Sequence, residues 1–228
     1  MSAQFSQTRW TLVRRASQDG DAGAAALSEL CKIYYVPVCN FFARWAGDRD
    51  AGQDDAHAFF EELLVRPTPI GAEQSEGRFR SYLLGAAKHF LSRKRAYDGA
   101  EKRGGNVLQV SFEEESQALA GGEADAHSFD RDWALAVIAS SLAKLESEME
   151  EAGKGDHYRH LKPWLLPDGK REYSHIAAEL GMEEAAARVA VHRLRQRYRE
   201  CLHQQIYDTV GSDSDLKAEL DYLILILS

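Results

Sequence analysis

Hydrophobic positions recur at three- and four-residue steps along most of this chain, the spacing of amphipathic helices. Leu27, Cys31, Tyr34, Val38, Phe41 and Trp45 form one such stripe, within a helical block from about Gly23 to Arg66. Pro37 inside it is expected to kink or divide the helix, because proline lacks a backbone donor and crowds the preceding turn. A polar turn from Asp48 to Asp54 leads into a helix over Ala56 to Val65 that carries Phe59, Phe60, Leu63 and Leu64. Arg66-Pro-Thr-Pro-Ile-Gly71 breaks the pattern, and a loop runs on to about Gly77. A third stretch, Arg78 to about Arg95, is apolar at Phe79, Leu83, Ala87, Phe90 and Leu91. Periodicity fades from Gly104 to Ser128, which holds two Gly-Gly pairs and reads as a flexible linker with room for one short helix. It returns near Asp130, where Trp133, Val137, Leu142, Leu145 and Met149 line a helix closed by Gly153-Lys-Gly155. A short helix then spans His157 to Leu166.

The stretch Tyr173 to Leu202 has the pattern of a DNA-binding helix-turn-helix. Ile176, Ala177 and Leu180 make one apolar face of a first helix, and Gly181 supplies a residue that leaves a helix with positive φ at little cost. A second helix from about Glu183 buries Ala187, Val191, Leu194, Tyr198 and Leu202. Its other side carries Arg188, His192, Arg193, Arg195, Arg197 and Arg199, a cationic rod suited to a major groove.

Composition adds two constraints. The chain has 228 residues, 44% of them hydrophobic, with five prolines and little β-branched alternation. It is therefore expected to be all-α, as two small helical domains joined by an acidic flexible linker. The domains are placed at 1–103 and 130–210, the linker at 104–129 and an apolar tail at 211–228. No run reaches the ~20 apolar residues that span a bilayer. The first residues lack the apolar core of a signal peptide, so a cytoplasmic location is expected. Cys31, Cys39 and Cys201 form no CxxC pair and read as buried free thiols. The tail from Leu216 ends Tyr222-Leu-Ile-Leu-Ile-Leu227 and is expected to fold back on the second domain; a docking surface for a partner is the alternative.

The formal net charge of -8 argues against nucleic acid until its distribution is seen. Arg78 to Arg103 holds eight cations against two acids, Gly104 to Asp130 has six acids and no Lys or Arg, and Lys170 to Arg199 has seven cations against four acids. Two basic modules flank an acidic tether, and local charge sets the field that a phosphate meets.

With these pieces in place the chain resembles the extracytoplasmic-function (ECF) sigma factors, the two-domain initiation subunits of bacterial RNA polymerase in the sigma-70 superfamily. Gly77-Arg-Phe-Arg-Ser-Tyr-Leu-Leu84, Lys88-His-Phe-Leu91, Ile176-Ala-Ala-Glu-Leu-Gly181 and Arg188-Val-Ala-Val-His-Arg-Leu-Arg195 carry the likeness, which covers nearly the whole chain. The opening Arg9-Trp-Thr-Leu-Val13 and Lys102-Arg-Gly-Gly105 are similar to one sub-branch. The resemblance implies that the first domain acts as region two, binding the polymerase clamp and the minus-ten element. Arg78, Phe79, Arg80, Tyr82, Lys88, His89, Arg93 and Lys94 would meet that element, since cations suit phosphates and aromatics suit unstacked bases. Phe79 and Phe90 could equally be core, the reading favoured for Phe90. The second domain would act as region four and read the minus-thirty-five element through Glu184, Ala185, Arg188, Val189, His192 and Arg193, an arginine there being able to bridge guanine O6 and N7. Asp54, Asp55, Phe59 and Phe60 would contact polymerase. The clamp-binding stretch Ala51-Gly-Gln-Asp-Asp-Ala-His-Ala-Phe-Phe60 departs from the family in having fewer acids, which should weaken pairing with a basic clamp and suggests a helper or a conditional state. An anti-sigma inhibitor is the implied regulatory partner, alongside core polymerase and promoter DNA.

Other function classes fit less well. A helix-turn-helix regulator that ignores polymerase has no need of the first module. An enzyme would need a constellation that is hard to find: His57 with Glu61 and Glu62 comes nearest, without HExxH or a second histidine. No cofactor, metal or catalytic residue is expected.

Overall fold

The computed structural model describes residues 20–65, 79–102, 122–165, 172–207, 210 and 213–228. The regular elements among them are all helical, as expected for an all-α chain. The described residues fall into two compact units, one built from residues up to Ala136 together with Tyr207–Ser228, the other from Val137–Ile206.

The first unit begins with α1 (Asp21–Ala46) and α2 (Arg49–Val65), a helical hairpin. The α1 stripe buries Ala26, Leu30, Ile33, Tyr34, Val38, Phe41 and Phe42; the expected Tyr34, Val38 and Phe41 are among them, whereas Cys31 is half-buried. Trp45 stays half-exposed, and the Leu27 side chain is outside the description. Pro37 does not divide α1: the helix runs unbroken through it. A proline costs one helical hydrogen bond and local crowding, and the buried residues on either side hold the helix together across that defect. Gly47, with φ 69°, ends α1 by donating its N–H to the Ala43 carbonyl at 2.9 Å. One residue later the Asp48 carboxylate accepts from the Ala51 N–H at 2.8 Å and caps α2. The return is tight because Gly52 lies against Ala43; a Cβ on Gly52 would overlap the Ala43 backbone and sit 2.7 Å from its Cβ.

The third helix, α3 (Phe79–Lys102), continues seven residues beyond the expected end at Arg95. Phe79, Leu83, Ala87 and Leu91 are buried; Phe79 meets Tyr34 at 5.0 Å between ring centroids, and Phe90 meets Phe42 and Phe59 at 5.6 and 5.8 Å. The fourth helix, α4 (Gly122–Glu151), starts inside the segment expected to be linker, so Gly122 to Ser128 is helical; 103–121 lies outside the described residues. Its part up to Ala136 belongs to the first unit, where Phe129 meets Phe41 edge-on at 6.2 Å and Asp132 pairs with Arg44 at 2.8 Å.

The second unit holds the remainder of α4, then α5 (Gly155–Leu161), a 3-10 turn (Lys162–Trp164), α6 (Tyr173–Glu179) and α7 (Glu184–Tyr207). Leu145, Tyr158, Leu161, Trp164, Ile176, Ala177, Ala187, Val191, Leu194 and Cys201 make one core. The last helix, α8 (Asp213–Leu227), returns to the first unit. The tail was expected on the second domain, placed at 130–210: Tyr222 does bond to Asp130, the first residue of that segment, but Glu219 bonds to Arg80, and both partners belong to the first unit. No helix of the described residues is long and apolar enough to cross a membrane.

Candidate nucleic-acid interface

In the second unit the turn between α6 and α7 is fixed by its backbone. Gly181 takes φ 61°, the Met182 N–H donates to the Ala177 carbonyl at 2.9 Å, and the Gly181 N–H donates to Ala178 at 3.3 Å. This is the Schellman pairing of a helix end, and its left-handed residue is best supplied by glycine. Ala177 and Met182 also pack in the core, so the turn is anchored on both sides. Helix α7 leaves the turn with Ala187, Val191, Leu194 and Cys201 buried.

At 3.6 residues per turn the opposite face of α7 carries Ala185, Arg188, Val189, His192, Gln196 and Arg199, with Arg193 at its edge. All six residues expected to read the upstream element, Glu184, Ala185, Arg188, Val189, His192 and Arg193, are exposed. Arg188 is oriented: Glu184 accepts from its Nη2 at 2.6 Å and from its Nε at 3.2 Å, and the Tyr173 ring lies 4.8 Å below the guanidinium. The Glu184 hydrogen bond and charge raise the Arg188 pKa, keeping it cationic at any physiological pH. Two arginines of the same helix serve the fold instead. Arg195 donates to the Trp164 carbonyl at 2.9 Å, and Arg197 bridges Glu148 and Glu200 at 2.7 to 2.8 Å. The roles of Tyr173 and Gln196 were not read from sequence. Tyr173 is placed by Trp164, 4.9 Å away between ring centroids, a contact that local spacing does not reveal.

The residues assigned to the minus-ten element divide differently. Arg78 lies outside the described residues. Phe79 and Arg80 are buried, at 2% and 5% exposure, so neither presents its side chain to solvent in this structure. Phe79 fills the core beside Tyr34, and Arg80 is held by carboxylates of α4 and α8. Tyr82 and Lys88 are half-buried, whereas His89, Arg93 and Lys94 are exposed. Burial first, then the Arg93 charge, push the His89 pKa below its ordinary value, so its neutral form is favoured. Arg93 pairs with Glu62 at 2.7 Å, Lys94 pairs with Asp55, and Arg95 stacks on Trp45 at 3.4 Å. Beyond them Tyr97 is 72% exposed, an aromatic at the basic end of α3 that the sequence reading left aside.

Of the residues assigned to polymerase contact, Asp54 is exposed while Asp55, Phe59 and Phe60 are buried in the α1–α3 core. Phe59 and Phe60 are core because an aromatic pair on consecutive positions can fill the space beneath both neighbouring helices. His57 bonds the Tyr35 hydroxyl at 2.6 Å, and the described residues contain no group of three or more His, Cys, Asp or Glu able to hold a metal. Cys31, Cys39 and Cys201 are free thiols; Cys201 alone is fully buried, and burial raises the pKa of all three. Compared with protein-family models, curated proteins and solved structures, the chain matches none.

Proposed function

We propose that the chain is an alternative sigma factor that binds core RNA polymerase and directs initiation at a two-element promoter, under the control of an inhibitory protein. The observation that carries this reading is the outer face of α7. A short helix, a glycine-closed turn and a long helix present Arg188, Val189, His192, Arg193 and Arg199 together on one exposed surface. Among the described residues Arg193 and Arg199 have no ion pair, so their charge is available to phosphates, while Arg188, held by Glu184 and Tyr173, is the proposed contact to a base edge. On α3 the exposed Tyr97 and the half-buried Lys88 would add a second, smaller nucleic-acid surface, since Arg80, Arg93, Lys94 and Arg95 are held by partners within the chain. The test is run-off transcription with purified core enzyme and candidate promoters. A promoter-dependent transcript is expected, and its absence with and without co-encoded factors overturns the reading.

One observation favours a second reading, a DNA-binding regulator independent of polymerase. Asp55 is spent on Lys94, and Phe59 and Phe60 are core, which leaves Asp54 as the exposed member of the polymerase set. Pull-down of core polymerase by the tagged chain separates the two: specific DNA binding without polymerase supports the regulator.

A further inference from the structure

Arg80 stands two residues into α3, yet its guanidinium is enclosed. Asp130 of α4 pairs with it, as does Glu219 of α8 at 3.3 Å. Two rings cover its faces, Trp133 at 4.7 Å and Tyr222 at 4.6 Å. The Tyr222 hydroxyl also donates to Asp130 at 2.5 Å. Helix α8 therefore supplies one anion, one ring and one hydrogen bond to this cluster, and Leu223 and Ile226 continue its buried side.

This arrangement differs from the other cation contacts of α3. Arg93, Lys94 and Arg95 keep partly exposed side chains and partners on α1 and α2, and the Arg93–Glu62 pair, exposed on both sides, exchanges readily with water or phosphate. Arg80 cannot exchange without movement of the helix above it. The contacts that α8 provides, a carboxylate oxygen and a π face, are the ones a nucleotide would offer as phosphate and base. The cluster is also incompletely satisfied: Arg80 Nε and Trp133 Nε1 are buried with no hydrogen-bond partner. Buried donors left unpaired weaken the docked state.

We infer that α8 is an intramolecular restraint that occupies Arg80 in place of a nucleic-acid strand and presents the guanidinium when it undocks. The inference rests on the sigma-type reading above and adds to it a control element within the chain itself. Undocking uncovers Arg80 and the Trp133 ring together, a cation beside an aromatic at the start of the basic helix.

The experiment compares the parent chain, the double variant Glu219→Gln with Tyr222→Ala, and a chain ending at Val210, by run-off transcription and by hydrogen exchange. The double variant is expected to lose amide protection over α8 and to raise transcript yield by about tenfold. Adding Arg80→Met is expected to abolish that gain. Equal transcript from parent and variant, with α8 exchanging faster, overturns the restraint and leaves the sigma-type reading standing. A gain that survives Arg80→Met overturns it as well. Absence of transcript from every form overturns the sigma-type reading, and the restraint with it. A chain ending at Val210 that no longer folds by circular dichroism shows α8 to be a permanent part of the unit, which again overturns the restraint.

Discussion

Helices α3 and α7 are both basic, but they spend their cations differently. On α3, Arg80, Arg93, Lys94 and Arg95 each have a partner within the chain. On α7 the arginines split: Arg195 and Arg197 secure the second unit, whereas Arg193 and Arg199 are exposed without ion pairs among the described residues. Counting positive residues therefore overstates one surface and identifies the other. An exposed guanidinium paired with an exposed neighbour on its own helix, as Arg188 is with Glu184, can still meet a ligand, whereas one that reaches the Trp164 carbonyl or the Glu148 carboxylate, as Arg195 and Arg197 do, secures the fold.

The largest effect that tests this contrast is on stability. Arg80→Ala leaves Asp130 and Glu219 buried without their cation and is expected to destabilise the first unit by about 3–5 kcal/mol. Arg193→Ala on the exposed face should stay within about 0.5 kcal/mol. Urea unfolding of the two variants measures both; similar small losses would show that the partnered and free cations are not distinct classes.

On the DNA side, if the proposed role holds, Arg188→Ala is expected to cost about tenfold in discrimination at the upstream element, since Glu184 and Tyr173 hold the guanidinium in one place on the exposed face. Lys94→Ala should weaken opening across promoters without changing their rank, as a phosphate contact does. Competition binding across upstream-element mutants decides; an unchanged ranking for Arg188→Ala moves the reading face elsewhere on α7.

Much of this was legible locally. The helical periodicity, the Gly181 turn and the six exposed residues of α7 follow from spacing within about thirty residues of chain. Arg80 shows where such reading stops. Its neighbours in sequence are an apolar and aromatic run among cations, which suggests a surface for bases. Its burial comes from Glu219, 139 positions away, and no short-range pattern reports that contact. The tail's contact with Arg80 was missed for the same reason, since an apolar stripe says that a face is covered without saying by what. Arg195 and Arg197 look like Arg193 and Arg199 in sequence; the Trp164 carbonyl and Glu148 give them other work. At Pro37 one of the two expected outcomes, division of the helix, does not occur: the buried residues on either side carry α1 through it.

A smaller effect isolates phosphate contacts. Arg193→Ala and Arg199→Ala should each lower the slope of log affinity against log salt by about 1, with sequence preference kept. A slope that does not change would remove that residue from the interface and leave Arg188 and His192 to carry it.

The smallest expected effect concerns the structural arginine of α7 and is visible through pH. The Arg197 hydrogen bond, opposed by partial burial, holds the Glu148 pKa below its ordinary value. A depressed folded-state pKa means that the unfolded chain takes up the proton first. The pair's contribution is therefore fully present above the ordinary glutamate pKa of about 4.3. It is lost as pH falls from there through the lowered folded value. Arg197 is half-exposed, so screening limits the contribution to about 0–1 kcal/mol. Glu148→Gln should reduce stability slightly at pH 7 and flatten the acid limb of the second unit's unfolding curve. Unfolding midpoints between pH 7 and pH 3 check this. An acid limb left unchanged by Glu148→Gln would show that the Arg197 pair does not support the second unit, and the division of α7 into supporting and reading arginines fails at that position.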